Sequence, residues 1–255
     1  AAETPNSFYV NQYHGPDGAE AHYRGLAPEI WEQTDGKLDV FVAGLGTGAT
    51  MSGCGRFFKE RNPRIRTVGV DPVGSVHHAM WKTGKTSDPR VFKVEGIGEG
   101  VRCGAMDLSV LDDVRQVTDQ QSFAMARRLA REEGVFAGGS SGAAVAGAIR
   151  YAEQLGDEKK NIVVLLPDSA QKCLSKIFDD KWMSENGFLE QDDPLGTVAD
   201  MLRAKPKRAI VSVKNGDTVR AVIGQLKEHG ISQVPVLDER RGLRGLVSEI
   251  DLLNF

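Results

Sequence analysis

The chain has little from which to build a disulfide framework, a metal centre, a nucleic-acid surface or a membrane span. Its 255 residues include 3 cysteines, Cys54, Cys103 and Cys173, far apart and with no C-x-x-C pair or His/Cys cluster. That argues against a disulfide scaffold or a bound metal, and the thiols are expected to be buried and free, as in a reducing compartment. Aromatic residues make up 7%, and Trp31, Trp81 and Trp182 are too dispersed for a base-stacking platform, so they read as packing residues. The formal net charge is −3, and with lysine and arginine scattered there is no electrostatic case for nucleic acid or an anionic membrane as partner. No apolar run approaches a span, and the first residues form no signal peptide, which leaves a cytoplasmic address as the default expectation.

Glycine is what the chain does have, 29 of them. Residues 40–43 are a short, mostly apolar run read as a buried strand. It enters a turn containing Gly44, Gly46 and Gly48, and helical spacing of Met51, Phe57 and Phe58 follows up to Asn62-Pro63. A strand, a glycine turn and a helix start aim backbone N–H groups and a positive dipole end at one point, which suits a phosphate. Thr47 and Thr50 add hydroxyls.

Helices are expected at 27–33, 50–61, 122–133 and 143–155, and strands at 40–43, 67–70, 113–117 and 162–166. Thr118 with Gln121 fits a capping box before the third helix. This alternation implies an α/β fold with a parallel sheet covered on both faces. Residues 187–193 read as a polar loop and 197–202 as a short helix. A strand at 211–213, a helix at 219–229, strands at 234–237 and 243–247 and a helix at 249–253 complete a small β-α-β-β-α module. The expected domains are 1–190 and 196–255.

Two readings of the glycine turn compete. Gly44-x-Gly46-x-x-Ala49 with Asp71 ending the next strand fits a dinucleotide fingerprint and a nicotinamide-dependent oxidoreductase. Against it, Pro72 turns the chain away from a crossover helix. Two further turns, residues 138–142 and Pro167-Asp168-Ser169, are expected at strand C-termini. Three such loops suit a compact phosphorylated cofactor better. His77 and His78 are expected in a polar loop as exposed or structural residues, without a metal partner.

Asn11-Gln-Tyr-His, Pro28-Glu-Ile-Trp31, Gly46-Thr-Gly-Ala-Thr50, Gly69-Val-Asp-Pro72, Val94-Glu-Gly-Ile-Gly98, Gly138-Gly-Ser140 and Leu166-Pro-Asp-Ser169 occur in that order. With Lys176-Ile-Phe-Asp-Asp-Lys-Trp-Met183 they resemble the cysteine synthase/cystathionine β-synthase family of pyridoxal-phosphate enzymes. The resemblance implies a tryptophan-synthase-like (fold type II) domain and pyridoxal 5′-phosphate as cofactor. Gly46, Thr47, Gly48, Ala49 and Thr50 would hold its phosphate, although Ala49 stands where the family has glycine. Were φ positive there, the methyl would cost about 1 kcal/mol. Ser140 would meet the pyridine nitrogen; a neutral hydroxyl there leaves the ring less electron-withdrawing than an aspartate would, favouring loss of a β-substituent. Its bland alternative is an N-cap for the following helix. Gly96, Ile97 and Gly98 resemble the substrate loop, with Glu99 where eukaryotic relatives carry tyrosine, and Pro167 and Asp168 wall the ring pocket.

The implied activity is a β-replacement joining serine and homocysteine, with O-acetylserine and sulfide as the nearest rival substrates. The tail from Ala209 resembles one CBS-domain repeat. Ile231 and Val236 would form an apolar wall and Ser248 and Asp251 ribose contacts for an adenosyl ligand; a dimerisation module and a non-catalytic sensor are the alternatives. A homodimer or larger oligomer is implied. The family's cofactor lysine and substrate-loop segments have no match: Lys37 is the one lysine before the glycine turn, in an unrelated Thr-Asp-Gly-Lys setting, and no catalytic residue is assigned. The chain is thus expected to be the C-terminal part of a longer enzyme and inactive alone.

Overall fold

The computed structural model describes residues 3–189 and 210–255. Contacts divide the chain into two compact units, Ala1–Asp192 and Asp193–Phe255. The helix expected at 197–202 lies outside the described residues, as does the end of the loop before it.

In the first unit, α1 (Asp17–Arg24) and α2 (Leu26–Gln33) precede β1 (Val40–Gly44), α3 (Ala49–Arg61) and β2 (Arg66–Pro72). Then come α4 (His77–Thr83), β3 (Asp113–Val117), α5 (Asp119–Glu132), α6 (Gly139–Leu155), β4 (Ile162–Val164) and α7 (Asp180–Glu185). The strands form one parallel sheet in the order β3-β2-β1-β4, with Val42 registered against both Val68 and Val164.

Strand alternation sends β1 into two cores. Val40 and Val42 join Val68, Val70 and the apolar side chains of α5 and α6. Phe41 and Ala43 join Phe57 and Phe58 of α3 on the opposite face. Full burial of one such Phe contributes about 1.5–3 kcal/mol. Helix α6 approaches the sheet closely at Gly147, where a Cβ would meet Val70 Cγ2 at 2.5 Å.

From β1 the chain adds β2 and β3 to one side, then returns to place β4 on the other. The reversal opens a crevice beyond the C-terminal ends of β1 and β4, where ligands of open α/β sheets bind.

Four boundaries differ from expectation for local reasons. Helix α5 starts at Asp119, directly after Thr118, because the Thr118–Gln121 capping box is formed with Thr118 as N-cap. Helix α6 starts at Gly139, so residues 139–142 are helix and no strand precedes them. Strand β4 ends at Val164, two residues early. His77 and His78 open the short helix α4, closed by Gly84 at φ +73°, where a loop was expected.

The second unit contains β5 (Val213–Lys214), α8 (Val219–His229), β6 (Gln233–Leu237), β7 (Leu243–Ser248) and α9 (Glu249–Leu253). This is the expected β-α-β-β-α order. β5 runs parallel to β6, and β6 antiparallel to β7. Val213, Val222, Leu226 and Val234 form its core.

Candidate active site

At the crevice, the turn from β1 into α3 lines a cleft of about 490 Å³ that includes residues 46–50, 96–98 and Pro167. A contiguous pocket of about 250 Å³ shares Gly96 and Pro167 and adds Ser140 and Asp168. Every residue assigned to the cofactor or substrate loop therefore lines one of two adjoining pockets that meet at Gly96 and Pro167.

The turn itself is built for close approach. Gly48 is the N-cap of α3 at φ +90°, and a Cβ there would meet Met106 at 2.6 Å. A Cβ on Gly46 would meet the Gly96 carbonyl at 3.1 Å. No side chain caps α3. Among the described residues nothing accepts from the backbone N–H groups of residues 46–51. Ala49 is the first residue of α3 and is absent from the positive-φ residues, so its methyl is unstrained. Space for it exists because the facing residue is Gly18, where a Cβ would meet the Ala49 Cβ at 2.9 Å.

The N-terminus of α6 is different. Asp168 accepts from the N–H groups of Gly138 (3.1 Å), Ser140 (3.1 Å) and Ser141 (3.0 Å), and from the Ser141 hydroxyl. A carboxylate here satisfies the orphan amides and the helix dipole together. Asp168, expected to wall the ring pocket, is among that pocket's lining residues, and its carboxylate is also engaged by the helix end. The N-cap alternative for Ser140 fails, because the N-cap is Gly138 without a side-chain cap. Ser140 is 2% exposed, lines the pocket 3.7 Å from where a Gly96 Cβ would sit, and forms no side-chain hydrogen bond among the described residues.

No lysine or arginine is among the residues lining the 490 Å³ cleft. Its titratable side chains are Tyr13, His22 and Glu99, and the Glu99 carboxylate holds the Tyr13 phenol above its usual pKa. Lys93, Lys172 and Lys176 line the smaller pocket. Lys176 pairs with Glu95, which raises its pKa and keeps it protonated.

Asp71 corrects the dinucleotide reading. It is fully buried, accepts from the His78 amide at 2.9 Å, and is absent from the cleft lining, so it cannot meet a ribose. Burial raises its pKa to about 6. His77 is also fully buried, and among the described residues neither ring nitrogen has a partner at full hydrogen-bond geometry, the Gly46 backbone being its polar neighbour. Burial lowers its pKa, the Gly46 backbone acting the other way. Cys54 and Cys103 are buried thiols, pushed up to about 12 and about 11 by burial, whereas Cys173 is half-buried at the smaller pocket, contrary to expectation. No group of metal-binding side chains occurs among the described residues. No described helix is long and apolar enough to cross a membrane.

Sequence reasoning missed His22, which lines the cleft from α1 with Nε2 3.1 Å from Thr50 Oγ1. The two lie 28 positions apart, so no local motif joins them. In the second unit, Ser248 and Asp251 bond each other in a capping box opening α9. Ile231 and Val236 pack against the small core.

A parallel sheet, its switch point and an open amide turn define an α/β protein built to hold a phosphorylated ligand. Comparison with known proteins specifies which. Residues 1–168 match the model of the pyridoxal-phosphate dependent enzyme family, and residues 198–255 match that of the CBS domain. The chain belongs to the pyridoxal-phosphate dependent enzyme family, whose cofactor is pyridoxal 5′-phosphate, and ends in a CBS domain. It is 35% identical to cystathionine beta-synthase of Dictyostelium discoideum over 264 residues, covering 99% of this chain and 52% of that protein. It is 37% identical to cystathionine beta-synthase of Saccharomyces cerevisiae over 278 residues, 98% of this chain and 54% of the relative. Cysteine synthase A of Salmonella typhi is 40% identical over 177 residues, 69% of this chain and 55% of that enzyme. The chain spans about half the length of the curated relatives it matches.

Proposed function

We propose that this chain provides the cofactor-phosphate half of a pyridoxal-phosphate-dependent β-replacement enzyme that joins L-serine and L-homocysteine into cystathionine. The observation that carries this is the unpartnered amide turn of residues 46–51 at the sheet's switch point, with the unpartnered Ser140 hydroxyl in the adjoining pocket. These residues fit the cofactor: an open anion cradle, glycines where a Cβ would intrude, and a neutral hydroxyl aimed into the ring-side pocket.

In this reading Gly46, Thr47, Gly48 and Thr50 hold the phosphate with amides and hydroxyls, and the Ala49 amide adds a donor. Ser140 meets the pyridine nitrogen. Pro167 walls the ring, and Asp168 acts indirectly by fixing the helix end that carries Ser140. Residues 96–98 flank the substrate side. When bound, the cofactor supplies the electron sink for proton loss at an amino acid Cα and departure of its β-substituent. The group that carries the cofactor covalently and moves that proton is not a lysine of the 490 Å³ cleft, because none lines it. Lysines do line the ring-side pocket, but no segment of the chain resembles the one that carries the family's cofactor lysine, and we expect no turnover by this polypeptide alone.

Pyridoxal phosphate followed by borohydride and peptide mapping tests the assignment, together with an assay for cystathionine. The expectation is phosphate-dependent binding without selective reduction at any one lysine, and no product. Selective trapping at Lys172 or Lys176 would overturn it. The CBS domain is proposed to take an adenosyl ligand along Ile231, Val236, Ser248 and Asp251, which requires the Ser248–Asp251 box to open. Titration calorimetry with S-adenosylmethionine checks this, and no heat at millimolar ligand would refute it.

A further inference from the structure

The donor set of the cleft is almost wholly neutral, so the side chain that decides where the Thr50 proton points has unusual influence. That side chain is His22. Helix α1 lies close against α3 at Gly53, where a Cβ would meet the His22 Cβ at 2.9 Å, and this contact brings the imidazole to Thr50. The Nε2–Oγ1 separation of 3.1 Å is a hydrogen bond that can run in either direction.

A threonine hydroxyl has one proton. When Nε2 is bare, with the ring proton on Nδ1, Thr50 donates to the histidine and presents only lone pairs to the cleft. An anion there is repelled. When Nε2 carries a proton it donates to Oγ1, and the hydroxyl proton is free to point at an anion. The Nε2–H neutral tautomer and the imidazolium both satisfy this, and the imidazolium adds a positive charge to a cleft whose lining includes no lysine or arginine.

We infer that His22 is a positioning residue of the phosphate anchor, its Nε2–H turning the Thr50 hydroxyl toward the anion and coupling cofactor-phosphate binding to the protonation of His22. The inference rests on the proposed role of residues 46–50 as the phosphate holder.

The charged neighbours leave this coupling to the anion. On α1, Glu20 is engaged by Arg24 and Arg56, and Asp17 bonds nothing on His22. On α3, Arg56 lies over the Tyr23 ring and Glu60 accepts from the Tyr23 hydroxyl. On α2, Glu29 and Glu32 form no bond to it, and in the cleft Tyr13 and Glu99 interact with each other. His14 accepts from the Gly104 amide. Burial is thus the resolved influence on His22 and lowers its pKa, and a phosphate beside Thr50 would push it back up.

The test uses the full chain with ¹⁵N-labelled histidine and pyridoxine 5′-phosphate, which carries the phosphate ester without the aldehyde. ³¹P NMR reports binding, and the ¹⁵N shifts of His22 report its tautomer and titration. Saturating ligand should place the proton on Nε2 and raise the His22 pKa by about one unit. His22→Leu should weaken binding about tenfold, the value of one hydrogen bond. His22→Gln, whose amide donates from the Nε2 position, should bind within about threefold of the parent, the residue of an imperfectly matched hydrogen bond, and lose the pH dependence assigned to the imidazole. Thr50→Val should erase the difference between His22 and His22→Leu. If His22 titrates identically with and without bound ligand, or His22→Gln keeps the parent pH profile, the inference is overturned; the latter outcome is readable even if His22→Leu does not fold. If the parent protein gives no ³¹P change, the phosphate-anchor reading fails first and the inference falls with it.

Discussion

Two helix N-termini face the two adjoining pockets, and the sequence presents both as glycine turns opening a helix. At α6 the amides of Gly138, Ser140 and Ser141 converge on the carboxylate of Asp168. At α3 the corresponding amides converge on no acceptor among the described residues. The same dipole and the same orphan donors thus serve two ends: one locks the returning β4 loop to the sheet's helix layer, the other stays open for an external anion. A glycine-rich turn becomes evidence for a ligand when its donors have no internal partner.

Removing the internal anion is the most disruptive way to break this contrast. Asp168→Ala leaves the three amides and the Ser141 hydroxyl without their charged acceptor and should cost about 3 kcal/mol, read as a lower urea midpoint. Inorganic phosphate should then stabilise the variant more than the parent, because it takes the vacated position. A change under about 0.5 kcal/mol, the scale of a neutral surface substitution, would count against the locking role.

Asp71 provides the next contrast, as a buried carboxylate with one amide partner at α4. Its pKa is raised from 3.8 to about 6 by burial, so the neutral form favours the fold. That contribution is complete below about pH 4 and is lost as pH rises through about 6. Against Asp71→Asn, which keeps an acceptor for the His78 amide, the parent should lose about 2–3 kcal/mol of stability between pH 4 and pH 7. Parallel pH–stability curves would contradict this.

Gly48→Ala strikes the open end. The αL penalty is about 1–2 kcal/mol per residue, and Met106 must also move, so both stability and affinity for pyridoxine 5′-phosphate should fall. The smallest effect belongs to Ala49→Gly. It restores the family residue but removes a methyl packed on Gly18 from an ordinary helical position, costing under about 1 kcal/mol and leaving affinity within a few fold. A large gain in affinity would mean the methyl crowds the phosphate.

Much of this architecture is legible locally. The apolar run at Val40–Gly44, the strand-like segment Asp113–Val117 and the Thr118–Gln121 box fix strands and a helix start from neighbouring residues alone. Helix α4 is missed because seven residues are too few to show a period, although Gly84 at its end is a recognisable stop. The occupancy of the two turns is not local. Asp168 reaches amides 27 to 30 positions away, and His22 reaches Thr50 across 28. Likewise Ala49 is tolerated because of Gly18, a pairing that only the α1–α3 contact reveals. Glycine patterns tell where donors cluster, and tertiary structure tells which clusters are already satisfied.

Backbone amide ¹H–¹⁵N spectra of the full chain, recorded while pyridoxine 5′-phosphate is added, test the central contrast most directly. The amides of residues 46–51 should shift with a single saturating dependence, while those of Gly138, Ser140 and Ser141 stay hydrogen-bonded to Asp168 and move little. Saturating shifts centred on Gly138–Ser141, with residues 46–51 unmoved, would contradict the account.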